Sequence, residues 1–188
     1  RRHREIDRNH GERQIALAEP RDRIGRLEQA MANYEKGYES IPGSKLPEDQ
    51  KTTWLGRLHH GKCRTLARMG KHAEAWKEAE TVKQMIVVGG EAGRQYWPAY
   101  HYLAGYAKLE AGEAKEALEH LLQADANDPF QTLLLARAYE KLGRQDEAKQ
   151  AFKKVVESQA AGIERPLSYP EAKRKLGWSP ATTLAELV

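Results

Sequence analysis

The sequence predicts an all-α fold, a solenoid of about three stacked helical hairpins with flanking helices. Three observations carry that expectation. Ala, Leu, Glu, Lys, Gln and Arg fill most segments, these are strong helix formers, and alternating strand-like runs are absent. Proline stands at 20, 42, 47, 98, 129, 166, 170 and 180, outside the central apolar-periodic stretches, and Pro98 and Pro129 suit first helical turns. The third observation is a pattern of residue sizes that recurs.

In its last copy, small Ala136 is followed by Gly143 at +7, Ala148 at +12, bulky Phe152 at +16 and Val155 at +19. Gly105, Gly112, Ala117, Leu121 and Ala124 stand at the same offsets. So do Cys63, Gly70, Ala75, Ala79 and Val82, with a weaker fourth position. Three copies at one internal spacing are an internal repeat. The spacing has a physical reading. A first helix ends at the Gly, which takes the left-handed conformation that stops it. A second helix starts within a few residues and runs back antiparallel. The small residue and the Ala at +12 face each other, because only small side chains let two helices approach so closely. The apolar residues at +16 and +19 share one face of the second helix and pack on the neighbouring pair. One pair cannot bury that face alone, so pairs stack.

These residues resemble the tetratricopeptide repeat, a 34-residue helix-turn-helix unit with a small residue, Gly, Ala, aromatic, Ala and Pro at set offsets. Gly105, Gly112, Ala117, Leu121, Ala124 and Pro129 follow that pattern in the middle copy, and Ala136, Tyr139, Gly143, Ala148 and Phe152 in the last. The resemblance covers roughly residues 52 to 159. It implies a right-handed solenoid of helical hairpins, with the first helices lining a concave groove. The chain departs from the pattern in places. Gly-to-Gly spacing is 42 and then 31, and Lys108 stands where Tyr139 stands in the last copy. The long gap holds MIVVGGEAGRQ, and the short one trims the second helix near Asn127.

Around the repeats, residues 1–50 read as an N-terminal helical segment and loop, 51–159 as the repeats, and 160–188 as a C-terminal cap and tail. Ile24, Leu27, Ala30, Met31, Tyr34 and Tyr38 form a stripe on an amphipathic helix after Pro20, expected to pack on the first repeat. SIPGSKLPEDQ, residues 40–50, is a loop by its Pro, Gly and Ser content. In the tail, a short helix is expected near PEAKRKLG.

Composition bounds the function. The chain has 188 residues, 40% hydrophobic and 31% charged, which suits one globular domain. The longest apolar run is MIVV, too short to span a membrane. The opening RRHREIDR reads as the interior of a longer protein, expected to be bacterial, or as a processed product, so any export signal would be out of view and the compartment stays undefined. The single Cys excludes an internal disulfide and a four-Cys zinc site. Net charge is +4, but residues 1–26 carry eight Arg against five acids, while residues 27–160 are balanced at 19 of each sign. A nucleic-acid binder carries its charge as a patch on the folded body, so this distribution argues against nucleic acid as a partner.

Nothing in the sequence argues for catalysis. His59, His60 and Cys63 look like a metal cluster, with His59 and Cys63 at i, i+4. Yet Cys63 falls on the small repeat position and no further ligand stands close by. GGEAGR after MIVV resembles a phosphate-cradling turn, but it lacks the Lys-Ser/Thr of a P-loop and reads better as a flexible connection between repeats. His3, His10, His72, His101 and His120 read as scattered surface residues. No cofactor or metal is expected.

One stripe points to binding. Arg57, His60, Arg64 and Arg68 lie 3, 4 and 4 apart on one face of the first repeat's first helix, with no acid among them. The equivalent residues in the next copies are Tyr102 and Tyr106, then Phe130, Leu133, Arg137 and Lys141. A groove basic at one end and aromatic in the middle suits an extended acidic peptide. The Asn residues of the carboxylate clamp known in some family members are missing at these positions. The expected function is a non-catalytic protein- or peptide-binding scaffold. The alternatives are a structural or oligomerisation segment pairing through residues 1–38, and the accessory domain of a larger enzyme.

Overall fold

The structure is a computed structural model that describes residues 20–162 and 164–177, the first five as backbone alone. The side chain of Ile24, the basic arm with His3 and His10, and the tail beyond Gly177 lie outside the described residues. Among the described residues, eight helices of two turns or more follow in order: α1 Pro20–Glu39, α2 Glu48–Arg68, α3 His72–Val88, α4 Trp97–Glu110, α5 Ala114–Leu121, α6 Pro129–Lys141, α7 Gln145–Glu157 and α8 Glu164–Lys175. Among the described residues there is no strand. Helices α2 and α3, α4 and α5, and α6 and α7 pack as three hairpins, each against the next. The fold is an all-helical solenoid of tetratricopeptide-like hairpins, as the spacing predicts.

The three glycines end their helices by one device. Gly70, Gly112 and Gly143 have φ of +77°, +84° and +73°. This left-handed turn lets the next residue's N–H reach back to a carbonyl of the last helical turn. Lys71 bonds Leu66, Glu113 bonds Lys108 and Arg144 bonds Tyr139, each at 2.9 Å. That contact, with the glycine N–H bonding one residue further on, is the Schellman motif. It reverses the chain tightly enough for α3, α5 and α7 to lie along α2, α4 and α6.

Between the paired helices the small residues meet. Cys63, Ala75, Ala79, Ala117 and Ala136 are fully buried, and Ala148 is 2% exposed. At Gly105 the approach is closest: an added Cβ would lie 2.6 Å from Leu121 Cγ and 3.2 Å from the Ala117 carbonyl oxygen. The apolar positions of the second helices are buried as well, Leu121 against Gly105 of its own hairpin. Val82, Leu121, Phe152 and Val155 are all buried, and each such side chain contributes about 1.5–3 kcal/mol relative to exposure.

The irregular spacing becomes two unlike connections. After α3, Gly90–Gly93 forms one helical turn and Arg94–Tyr96 a 3-10 turn. There a Cβ on Gly93 would lie 2.2 Å from the Ile86 carbonyl oxygen, so GGEAGR is a helical, close-packed connection between repeats and not the flexible one its glycines suggest. After α5, which stops at Leu121, Asp128 caps α6 by accepting from the Phe130 and Gln131 amides at 2.7 and 3.1 Å. Pro129 takes the first helical position, where its missing N–H costs nothing.

Both flanks pack on the array. Helix α1 lies along α2, with Leu27 2% exposed and Met31 against the main core. Its Tyr34 ring fits only because position 61 is Gly, since a Cβ there would come within 2.6 Å of the ring. Helix α8 starts earlier than PEAKRKLG suggests and holds Pro170 inside it. Ser168, fully buried, donates its hydroxyl to the Glu164 carbonyl at 2.6 Å one turn before the proline. Helix α8 packs on both α6 and α7, the place where the first helix of a further hairpin would stack.

Candidate functional site

The face built by α2, α4 and α6 brings much of the stripe together. The Arg64 guanidinium lies over three rings, 6.0 Å from the Tyr102 centroid and 5.6 Å from those of Tyr106 and Phe130. Tyr102 stands edge-on to Tyr106 and to Phe130, so the three rings form one continuous platform. Cation–π attraction contributes about 0.5–1 kcal/mol at exposed sites and about 2 when desolvated. Three rings around one guanidinium therefore hold it in place rather than leave it to sample rotamers.

Two more members join this centre. Arg68 Nε donates to the Tyr106 hydroxyl at 2.7 Å. His60 lies against Tyr102, ring centroids 5.1 Å apart and the planes tilted by 35°. Burial, reinforced by the Arg64 charge, pushes the His60 pKa down to about 3, so this imidazole is neutral at neutral pH. Burial likewise pushes the Tyr106 phenol up, against the pull of Arg68.

The tyrosines differ from the sequence expectation in one respect. Tyr102 is 7% exposed and Tyr106 2%, so neither presents a free ring to solvent. They are the floor beneath Arg64. Leu133 is 1% exposed and belongs to the core of the last hairpin. Arg57 stands apart near the middle of α2, exposed, its guanidinium 5.1 Å above Trp54. Lys141 is exposed at the end of α6.

Arg137 is committed to the chain itself. Its Nε donates to Glu171 Oε1 at 2.7 Å and its Nη2 to Glu171 Oε2, a two-pronged pair that fastens α8 to α6. Lys175 adds a second fastening to Glu140 at 2.7 Å. Burial opposes the charge on Glu171 most, yet hydrogen bonding to Arg137 together with the charges of Arg137, Lys175 and Arg174 outweighs it and holds the carboxyl below the usual range. The Glu110 charge also reaches both Tyr106 and Arg137. The face thus changes character along its length: basic over aromatic at α2 and α4, charge-compensated at α6 and α8.

Two groupings escaped the sequence reading. Glu78 on α3 collects His59 Nδ1 at 2.5 Å and Lys62 at 3.3 Å, and Lys62 reaches Glu35 on α1 at 4.0 Å. This network uses His59 and seals Cys63 behind it. The Cys63 thiol, buried and facing the Glu78 charge, is pushed up to about 12. Among the described residues no three metal-ligating side chains converge. The second grouping is His101 with His120, in contact rather than scattered. A usable signal existed for the Arg137–Glu171 pair. Its members are 34 residues apart, one full repeat, so α8 continues the register of the first helices.

The tetratricopeptide repeat family model matches residues 133–161. Those residues take in most of α6, its turn and α7. This supports the resemblance carried by the spacing and by the three helix-ending glycines. No curated protein and no solved structure matches the chain. Tetratricopeptide repeats serve in general as protein-interaction scaffolds, and no helix among the described residues is long and apolar enough to cross a membrane.

Proposed function

We propose that the chain is a non-catalytic scaffold module that binds an extended acidic peptide across the concave face of its first helices. One observation supports the reading above the rest. Arg64 is held over Tyr102, Tyr106 and Phe130, and its neighbour Arg68 spends its Nε on a neutral phenol rather than a carboxylate. Two guanidinium groups on one face, braced by rings and hydroxyl, match the planar geometry of carboxylates. Arg57 extends the basic end outward. Arg137 and Lys141 bound the far end, where Glu171 already answers Arg137.

In this reading, the tyrosines position the arginines and the arginines meet the ligand. A peptide-array screen followed by titration tests it. Acidic sequences should dominate the hits. Arg68→Glu should weaken the best hit by at least about tenfold, since a charge-assisted contact contributes ~1.5–3 kcal/mol. Added salt should weaken binding as well. Basic preferred peptides, or unchanged affinity in the Arg68 variant, would remove the proposal.

A further inference from the structure

The second grouping missed by the sequence reading carries an inference independent of any ligand. His101 lies on α4 and His120 on α5, the two arms of the central hairpin. Their Nδ1 atoms are 3.0 Å apart. The ring centroids are 5.3 Å apart, which is that contact plus one ring radius at each end. The two rings therefore meet end to end, each in-plane lone-pair direction aimed at the other nitrogen. Two bare nitrogens so placed would repel. A metal ion bound by both would need the two directions to converge on a third point, which end-to-end rings do not do. A hydrogen bond needs this collinear arrangement.

We propose that His101 and His120 share a single proton between their Nδ1 atoms, and that this shared proton makes the central hairpin an acid-sensitive joint. In the neutral pair one ring carries its hydrogen on Nδ1 and donates, while the other carries its hydrogen on Nε2 and accepts. A first added proton goes to the bare Nε2 of the donor ring. The bond survives and gains charge assistance. A second proton has only the accepting Nδ1 left to occupy. Both facing nitrogens then carry N–H, the bond is lost, and two cations confront each other across the helix pair. The pair titrates as a unit with two macroscopic steps.

The surroundings oppose the charged states. Trp97 packs on His101, and Trp76 and Tyr100 pack on His120. Lys108 on α4 sits 4.6 Å above Trp76, and Lys83 on α3 lies over Tyr100. Of the nearby acids, Glu80 on α3 accepts from Tyr100 and pairs with Lys83, and Glu113 pairs with Lys108. Glu119 on α5 is the remaining carboxylate whose field favours the charged imidazole. Burial first, and for His120 the neighbouring His101 and Lys108 charges, lower both pKa values. An imidazole whose folded pKa is depressed stabilises the fold above the unfolded value of 6.5, and that contribution is lost as pH falls below it.

Nuclear magnetic resonance on the 15N-labelled wild-type chain reads the shared proton directly. At about pH 7.5 one Nδ1 should show a protonated shift and the other a bare shift, with a scalar coupling between them through the hydrogen bond. The coupling should vanish as the second step is passed. Two bare Nδ1 atoms, or no coupling, would overturn the proposal. A second arm compares melting temperatures of wild type and the double variant His101→Phe with His120→Phe. From about pH 7.5 to about pH 5, wild type should lose more than the variant. His60 is present in both proteins, so its own acid response cancels in the difference. Equal losses would overturn the acid-sensitive joint even if the coupling is seen.

Discussion

Gly105 and Leu121 touch so closely that any side chain at position 105 must push Leu121 aside. An added methyl group would meet Leu121 Cγ at 2.6 Å and Cδ2 at 2.8 Å, with the Ala117 carbonyl oxygen behind them. In an exposed helix, Gly→Ala stabilises by about 0.8–1 kcal/mol. Here overpacking, which costs typically about 1–3 kcal/mol, opposes that gain and should win. Gly105→Ala should therefore lower the midpoint of urea unfolding. A raised midpoint would mean that the second hairpin relaxes more easily than its packing implies.

The clasp between Arg137 and Glu171 makes a second expectation. Both side chains keep partial solvent contact, 34% and 21%, so the pair belongs near the upper end of surface ion pairs, about 1 kcal/mol. Glu171→Gln should loosen α8 without unfolding the hairpins. Limited proteolysis should then cut between α7 and α8 faster than in wild type, with the α2–α7 fragment persisting. Equal cleavage rates would show that buried Ser168 and Ala172, with the Lys175–Glu140 pair, hold α8 without this clasp.

His60 sets a pH dependence of its own. Its pKa is pushed down to about 3 from 6.5, first by burial and then by Arg64. The unfolded chain therefore binds a proton that the folded chain refuses. Stability should fall as pH drops below 6.5 and go on falling toward 3. His60→Gln should make the melting temperature fall less steeply between about pH 6.5 and about pH 4, leaving the share due to His101 and His120. A variant with wild-type slope would place the acid response elsewhere.

Cys63 should be inert. It is fully buried, and its thiol is pushed up to about 12, so almost no thiolate exists at neutral pH. A thiol reagent at about pH 8 should label the folded chain far more slowly than the chain in denaturant. Rapid labelling of the folded chain would mean that α2 and α3 open readily, since Cys63 sits between them.

Much of the fold was legible because the repeat writes its constraints into single residue types. A helix that must reverse through a left-handed turn shows Gly, and a close helix contact shows Gly, Ala or Cys. These rules located Gly70, Gly112, Gly143, Ala117 and Ala148 from spacing alone. The limits of α8 were not legible, since Pro166 and Pro170 argue against a helix that neighbouring packing nonetheless imposes. At the candidate site, the spacing rightly put Arg64 beside Tyr102, Tyr106 and Phe130. It gave no measure of burial, so tyrosines expected as exposed anchors are instead a floor. His101 with His120 and His59 with Glu78 form across antiparallel helices, where hairpin register decides contact. Both pairs are 19 residues apart and take the same place in successive hairpins, a register set by packing within each hairpin, as by Gly105 on Leu121 in the second.

Arrays of stacked repeats are commonly treated as one-dimensional chains in which each unit feels only its immediate neighbours. Arg64 breaks that description here. It belongs to the first hairpin, lies against Tyr102 and Tyr106 of the second, and reaches Phe130 of the third. One side chain therefore supplies a next-nearest-neighbour coupling. The ends of the array do not fray independently. A substitution at Phe130 should be felt in the hydrogen-exchange protection of α2, two units away, and the three hairpins should melt as one transition rather than unzip from either side.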